Sequence, residues 1–400
     1  MKILIVDKFP DRYLAAIRKL GHDVAYEPGT KAADIAAKSG GADIIVVRST
    51  EVTAETIRAS TNLSLIIRAG AGTNNIDRKA ASAAGVYVSN CPGTNSVAVA
   101  ELAMGLICAL DRRIVENVTD LRSGRWNKAE YSKAAGLLGK TLGVIGVGMI
   151  GKEVIVRAKA FGLKVKAWSR SLTPEKAQEL SVEYVATIAA LVPTCDILSV
   201  HLAQAAETKG IISREIIAAM KPGALFINTA RAGVVDQAAL VEAVKAKKIR
   251  VGTDVFEGEP EGKDGAFTDE LGMLPGVYGT HHIGASTEQA QDAVATETVR
   301  IIKVYGETGR VENWVNKMKK TPARFQLVVR HYDKPGVLAD VLAIIREADL
   351  NAEEISNVIF DGAQAACCTI QLDSELDAGR LAKINALSGR VIRAAQVALG

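Results

Sequence analysis

Three polar residues in the second half of the chain have the types and spacing for acid–base work on a carbon that bears oxygen. Arg231 lies in N-T-A-R-A-G-V-V-D, Glu259 closes D-V-F-E-G-E-P, and His282 lies in G-T-H-H-I-G-A-S-T. A neutral imidazole near pH 7 is matched to taking a hydroxyl proton. A carboxylate beside it would orient the ring and stabilise the imidazolium. A guanidinium, with its planar fork of donors, could hold a carboxylate and a carbonyl oxygen in line with a hydride acceptor. Each of the three follows a predicted strand, which puts them on one rim. Taken singly, they read equally well as a satisfied histidine, a surface glutamate and a structural arginine. The His281-His282 pair does not read as a metal site, because adjacent residues of a strand point to opposite faces and no acidic or cysteine cluster joins them.

The hydride acceptor is announced by Lys140 to Gly151, K-T-L-G-V-I-G-V-G-M-I-G. Leu142, Val144, Ile145 and Val147 form a short apolar run of strand length. Gly146, Gly148 and Gly151, with Met149 and Ile150 between the last two, then fall at the G-x-G-x-x-G spacing before a helical pattern over 152–160. Gly146 can make the tight turn, Gly148 leaves room for a pyrophosphate, and Gly151 lets the helix pack on the strand. The helix N-terminus would receive the pyrophosphate. About 20 residues on, an NAD site usually has an acidic residue for the ribose hydroxyls. Here stand Ser169 and Arg170. An arginine suits a 2′-phosphate, whereas a serine donating to ribose with the arginine stacked on adenine keeps NAD usable. NADP(H) is therefore expected to serve at least as well as NAD(H).

These residues need a scaffold, and the chain supplies alternating strand and helix patterns. Its 400 residues call for two or three domains. Apolar runs at Lys2–Val6, Asp43–Val47 and Leu65–Ile67, with an amphipathic stretch at Asp11–Leu20, make a first parallel α/β unit. Arg48 and Arg68 follow two of those strands, the second opening the turn R-A-G-A-G-T-N. Ligands gather beyond the carboxyl ends of parallel strands, so this is either an anion site or a plain turn with two solvated arginines. A long alanine-rich helix over Ser96–Leu110 leads to the second unit. Its strands are predicted at the glycine fingerprint, Lys164–Trp168, Asp196–Val200, Ala224–Asn228 and Val251–Val255, and a helix over Thr287–Tyr305 is placed to return to the first domain. After a basic, proline-ended linker, Phe325 onward reads as βαββαβ, with Asp361-Gly362 as the hairpin signal. The sheet edges of such a module invite pairing with a second copy. The fold class is thus α/β: two Rossmann-like doubly wound parallel-sheet domains and a small C-terminal βαββαβ domain. The boundaries are expected at 1–97 and 287–318 for the first domain, 98–286 for the second and 322–400 for the third.

Composition sets further limits. The net charge of +4, with acids and bases interspersed, suggests no nucleic-acid surface but leaves small anionic substrates open. No apolar run approaches the ~18 residues of a membrane helix, and the start M-K-I-L-I-V-D lacks a signal-peptide cleavage region, so a cytoplasmic protein is expected. Five cysteines without C-x-x-C spacing read as reduced thiols.

In combination and order these motifs resemble the D-2-hydroxyacid dehydrogenases, and within them the branch that carries an appended ACT regulatory domain and oxidises 3-phospho-D-glycerate. Arg68–Asp77 is similar to the family's R-x-G-x-G-x-x-N-x-D pattern and Asn90–Ser96 to its N-x-P-G-x-N-S pattern, beside the three segments quoted first. The resemblance implies that Arg231, Glu259 and His282 are catalytic and that Asp254 holds the nicotinamide carboxamide. It further implies that His201 and Ala230 line the cofactor, that the N–H groups of Ala71 and Gly72 take the substrate carboxylate with Asn95 nearby, and that Arg48 and Arg68 contact a phosphate or other substrate anion. NADPH-dependent reduction of glyoxylate or hydroxypyruvate is the alternative activity. The sequence departs from the family pattern at Ala203, Ala232 and His281. In the C-terminal module, H-Y-D-K-P-G-V-L looks like the ACT strand-to-helix turn, which implies a homo-oligomer, dimer or tetramer, that binds L-serine between subunits through His331, Asp333 and Asn351. Asp333 stands where serine-sensing relatives have asparagine.

Overall fold

A computed structural model of the chain describes residues 1–260 and 265–399. The first sheet is built from β1 (Lys2–Ile5), β2 (Asp23–Tyr26), β3 (Ile44–Val47), β4 (Leu65–Arg68) and β5 (Tyr87–Asn90), all parallel and ordered β2-β1-β3-β4-β5. Its central strands are runs of buried branched residues, as required where helices cover both faces. The two edge strands carry mixed residues.

The second sheet comprises β6 (Thr141–Ile145), β7 (Lys164–Trp168), β8 (Glu183–Tyr184), β9 (Ile197–Val200), β10 (Ala224–Asn228), β11 (Ile249–Thr253) and β12 (Val277–Gly279). It is again parallel, in the order β12-β11-β10-β9-β6-β7-β8. The chain leaves β6 toward one edge and later resumes on its other side at β9. That reversal opens a crevice at the carboxyl end of β6, where a dinucleotide fits.

Two helices join the sheets. Helix Ser96–Arg112 buries Ala100, Ala103, Ile107 and Leu110 in one core with Leu142, Val144 and Ile227 of the second sheet. Helix Glu288–Thr308 is capped by the Thr287 hydroxyl, which accepts from Ala290 N–H, and packs Ala295, Ile301 and Ile302 with Ile3, Ile5 and Ile17 of the first. The chain therefore returns to the sheet where it began.

The contacts divide the chain into two compact units, Met1–Asn316 and Lys317–Gly400. The second unit has β13 (Phe325–Tyr332), β14 (Ala352–Ile359), β15 (Ala365–Leu372) and β16 (Val391–Ala398) in an antiparallel sheet ordered β14-β15-β13-β16, with helices Val337–Glu347 and Ala378–Asn385. Leu327, Val329, Val341, Ile345, Cys368 and Ile370 fill its core. The Asp361-Gly362 hairpin is present, with Gly362 and Ala363 both left-handed (φ 83° and 50°). All five cysteines are free thiols. No helix among the described residues is long and apolar enough to cross a membrane.

Candidate active site

The three fingerprint glycines have three different local reasons to be glycine. Gly146 has φ +99°, and a Cβ there would lie 2.4 Å from the His201 carbonyl oxygen, while its N–H donates to Trp168 at the end of β7 (2.8 Å). A Cβ on Gly151 would lie 2.1 Å from the Gly146 carbonyl oxygen, so the first turn of helix Met149–Ala160 rests directly on the glycine turn. A Cβ on Gly148 would meet nothing within 4 Å. The space in front of Gly148 is open, as a pyrophosphate approaching the backbone requires. Half-buried Ser169 and exposed Arg170 follow β7, the strand beside β6, at the position of the ribose-binding acid.

Arg231, Glu259 and His282 converge on one cleft of about 430 Å³ and the groove adjoining it. His282 Nδ1 bonds to Glu259 Oε2 at 2.8 Å, and Glu259 Oε1 accepts from Phe256 N–H at 2.9 Å. The Glu259 bond raises the imidazole pKa against the opposing effects of burial and Arg231. Burial alone would push the Glu259 carboxyl up, but the bonds from His282 and Phe256 outweigh it and hold it below its ordinary value. With Nδ1 held by a carboxylate, Nδ1 carries the proton in the neutral ring and Nε2 is left as the base. Arg231 reaches across to the first sheet: a Cβ on Gly72 would stand 2.9 Å from its Nη2. Asn228 buttresses it, accepting from Ala230 N–H and donating to the Arg231 carbonyl (both 3.0 Å).

His281 and His282 lie beyond the strand that was expected to carry them. β12 ends at Gly279, and His282 sits in a turn with φ +53°, a conformation sparsely used by residues other than glycine. Asp254 holds that turn. Its buried carboxylate accepts from Thr280 Oγ1 (2.6 Å), Ile283 N–H (2.8 Å) and Gly284 N–H (2.8 Å). The residue expected at the nicotinamide is thus also the anchor of the histidine loop. It borders the cleft, and each oxygen has more than one lone pair.

Arg48 and Arg68 meet Asn95 and His282 around a neighbouring pocket of about 200 Å³. The Asp7 carboxylate positions the Arg48 loop by accepting from the N–H groups of Arg48, Ser49 and Thr50 and from both hydroxyls. Arg68 is held over Gly70. Burial lowers the Arg68 pKa, and the like charges of Arg231 and Arg48 lower it further. Among the described residues neither the Arg48 nor the Arg68 guanidinium has an acceptor.

Four buried side-chain polar atoms among the described residues have no hydrogen-bond partner: Arg68 Nε, Ser96 Oγ, His201 Nδ1 and Thr229 Oγ1. All four residues border the same cleft. Unpaired buried polar atoms are rare, and their concentration here marks a surface complementary to a polar ligand. Burial pushes the His201 pKa down to about 4, so it stays neutral and offers Nδ1 while Nε2 is engaged by Ser199 Oγ at 2.8 Å. Ser96, Thr229 and the pocket-lining Lys8 escaped the sequence reading. Lys8 and Thr229 follow the ends of β1 and β10, and that position was the available signal.

In the second unit, His331 is buried and bonded to the Tyr332 carbonyl (2.7 Å) and to Asn357 Oδ1 (3.1 Å). Asn351 is not brought near it. His331 pairs with Ala366 at one end of β15, whereas Ala352 pairs with Leu372 at the other. Six residues of strand, roughly 20 Å, separate them within one chain.

Residues 104–284 match the family model described as the D-isomer specific 2-hydroxyacid dehydrogenase NAD binding domain. The chain is 36% identical to a D-3-phosphoglycerate dehydrogenase of Methanocaldococcus jannaschii over 96% of its own length and 68% of that protein's. It is 45% identical to a hydroxypyruvate reductase of Thermotoga maritima over 67% of this chain and 85% of that one. The chain belongs to the D-isomer specific 2-hydroxyacid dehydrogenases. As a member of that family it is an NAD-binding oxidoreductase whose substrate is a small hydroxy acid. Of two other D-3-phosphoglycerate dehydrogenases this dehydrogenase spans only 64% and 56% of the length. The fold is shared with the solved structure of NAD+-bound 3-phosphoglycerate dehydrogenase from Entamoeba histolytica, at 29% identity and TM-score 0.66, over 80% of this chain and 99% of that one.

Proposed function

We propose that this dehydrogenase interconverts 3-phospho-D-glycerate and 3-phosphohydroxypyruvate, the oxidation serving L-serine biosynthesis. The observation that carries the reading is the pair of guanidinium groups, Arg48 and Arg68, facing a pocket beside His282 without an acceptor among the described residues. A monoanionic substrate needs one cation for its carboxylate, and Arg231 supplies it. Two further unpaired cations call for a second anionic group on the same small molecule.

In the oxidation, the carboxylate lies against Arg231 and the N–H groups of Ala71 and Gly72. The C2 hydroxyl donates to His282 Nε2, which takes its proton, while Glu259 keeps the ring oriented and stabilises the imidazolium. When bound, the nicotinamide accepts or returns the hydride. Its dinucleotide is received by Gly146 to Gly151, Ala230 and the unpaired polar groups of His201 and Thr229. In the reverse direction His282 returns the proton.

For the dinucleotide itself, NADP(H) is proposed to serve at least as well as NAD(H), through Ser169 and Arg170. Replacing Arg170 with alanine is expected to lower kcat/KM for NADP(H) by about tenfold, and by less for NAD(H). Steady-state kinetics with both cofactors check this, and a large wild-type advantage for NAD(H) would refute it.

The second reading is a glyoxylate or hydroxypyruvate reductase, favoured by the 45% identity to the Thermotoga protein. A panel of 3-phosphoglycerate, phosphohydroxypyruvate, hydroxypyruvate and glyoxylate, run with both cofactors, decides between them. The expected result is the highest kcat/KM for the phosphorylated pair. Equal or better use of glyoxylate would transfer the assignment to the reductase.

The same assays with L-serine test the C-terminal unit, which we read as an ACT domain. The distance between His331 and Asn351 means that a site using both, with Asp333, forms only between two copies. β14, an edge strand with Ile355, Val358 and Ile359 exposed, is the proposed place of pairing in a homo-oligomer. The corresponding domain division is 1–97 with 287–318, 98–286, and 322–400, in a cytoplasmic enzyme.

A further inference from the structure

The first sheet runs β1-β3-β4 across its middle, and each of these adjacent strands delivers a cation just past its carboxyl end: Lys8, Arg48 and Arg68. Parallel pairing of Ile5 with Val46 and of Val47 with Arg68 keeps the three strand ends level. All three residues line the same pocket of about 200 Å³, together with Ser49, Asn95 and His282. Asp7 immediately precedes Lys8, and its carboxylate is saturated by five donors from residues 48–50, so it fixes the Lys8 and Arg48 backbones to one another. The anion nearest in sequence is therefore already engaged. Among the described residues the Lys8 ammonium has no ion-pair or hydrogen-bond partner.

The three cations are not equivalent. Arg68 has an unpartnered buried Nε and is crowded by Arg231 and Arg48. Arg48 is half-buried, and Lys8 is exposed at the pocket mouth. A guanidinium binds carboxylate and phosphate alike through its fork. An ammonium is a compact point charge whose attraction follows the net charge of its partner. A phosphate monoester carries close to two negative charges above its second pKa near 6.

We infer that Lys8 is a specificity-determining residue of this dehydrogenase, the cation that favours a substrate ending in a dianionic phosphate over the same acid without it. The inference rests on the phosphorylated-substrate reading above. It is tested with Lys8→Met, which keeps an apolar stem of similar length, and Lys8→Arg, which keeps the charge. Two quantities are measured: the ratio of kcat/KM for phosphohydroxypyruvate to that for hydroxypyruvate, and the inhibition of hydroxypyruvate reduction by inorganic phosphate. In Lys8→Met both the ratio and the phosphate affinity fall by about tenfold or more, the loss of one charge-assisted contact. Lys8→Arg keeps most of each.

A Lys8→Met enzyme with unchanged melting temperature, selectivity ratio and phosphate inhibition overturns the inference. So does an equal loss toward both substrates that Lys8→Arg does not rescue, which marks a structural residue. If the wild type shows no preference for the phosphorylated substrate while phosphate inhibition still depends on Lys8, the substrate reading fails and the anion site stands. If the wild type prefers the phosphorylated substrate and Lys8→Met does so equally, the substrate reading stands and the role of Lys8 is disproved.

Discussion

Replacing His282 with alanine lowers kcat by about a hundred- to ten-thousand-fold, the usual contribution of a positioned acid–base group, and leaves NADH binding measurable by fluorescence titration. The effect is large because no second proton acceptor stands in its place. Glu259 is engaged by His282 and Phe256, and Asp254 is spent on the backbone of the histidine turn. The companion variant Glu259→Gln probes the ionisation. The Glu259 bond raises the imidazole pKa above its ordinary 6.5. Oxidation needs the neutral ring, so its rate climbs as pH rises through that elevated pKa. Reduction needs the imidazolium and falls over the same range. Without the carboxylate the pKa drops, and both limbs move to lower pH. Turnover near the wild-type level in His282→Ala, or unmoved limbs in Glu259→Gln, would reject the assignment.

The three fingerprint glycines are expected to separate into two phenotypes when each is changed to alanine. At Gly146 the new methyl meets the His201 carbonyl at 2.4 Å in a left-handed backbone. At Gly151 it meets the Gly146 carbonyl at 2.1 Å. Backbone atoms cannot step aside as a flexible side chain can, and the left-handed conformation alone costs about 1–2 kcal/mol. Both variants should melt several degrees lower without cofactor. Gly148→Ala has open space, so it melts like the wild type. Its methyl occupies the approach of the pyrophosphate, and NADH affinity falls by about tenfold or more. Thermal unfolding without cofactor and NADH titration distinguish the two classes. Tight NADH binding by Gly148→Ala would show that the pyrophosphate does not pass there.

Which parts of this molecule the sequence announces follows from burial. Central strands such as Ile44–Val47 and Ala224–Asn228 are covered on both faces and appear as unbroken apolar runs. The strands at Asp23–Tyr26, Tyr87–Asn90, Glu183–Tyr184 and Val277–Gly279 did not stand out, and all four are sheet edges, where one side lacks a neighbour and polar residues are admitted. The catalytic trio and the glycine turn were legible because each is tied to a strand end by a short motif. The left-handed turn at His282 was not, since it depends on three hydrogen bonds to Asp254, 28 residues earlier in the chain. Lys8 carries no motif of its own. It acquires meaning only when β1, β3 and β4 are laid side by side. The distance between His331 and Asn351 likewise depends on strand register, which residue spacing does not encode.

Helix Ser96–Arg112 is a rod with its first residues at the cleft and its body in the nucleotide-domain core. Asn95, at its cap, therefore cannot shift without disturbing the packing of Ala103 and Ile107 against Leu142 and Val144. His282 is fastened to the same body through β11. The cations at 48 and 68 belong to the other sheet. The anion pocket is thus a seam whose two lips are carried by different halves of the molecule. A substrate with negative charge at both ends acts there as a suture: its carboxylate and its phosphate draw the lips together, and the energy of holding the anion is also the energy of closing the wall around the hydride.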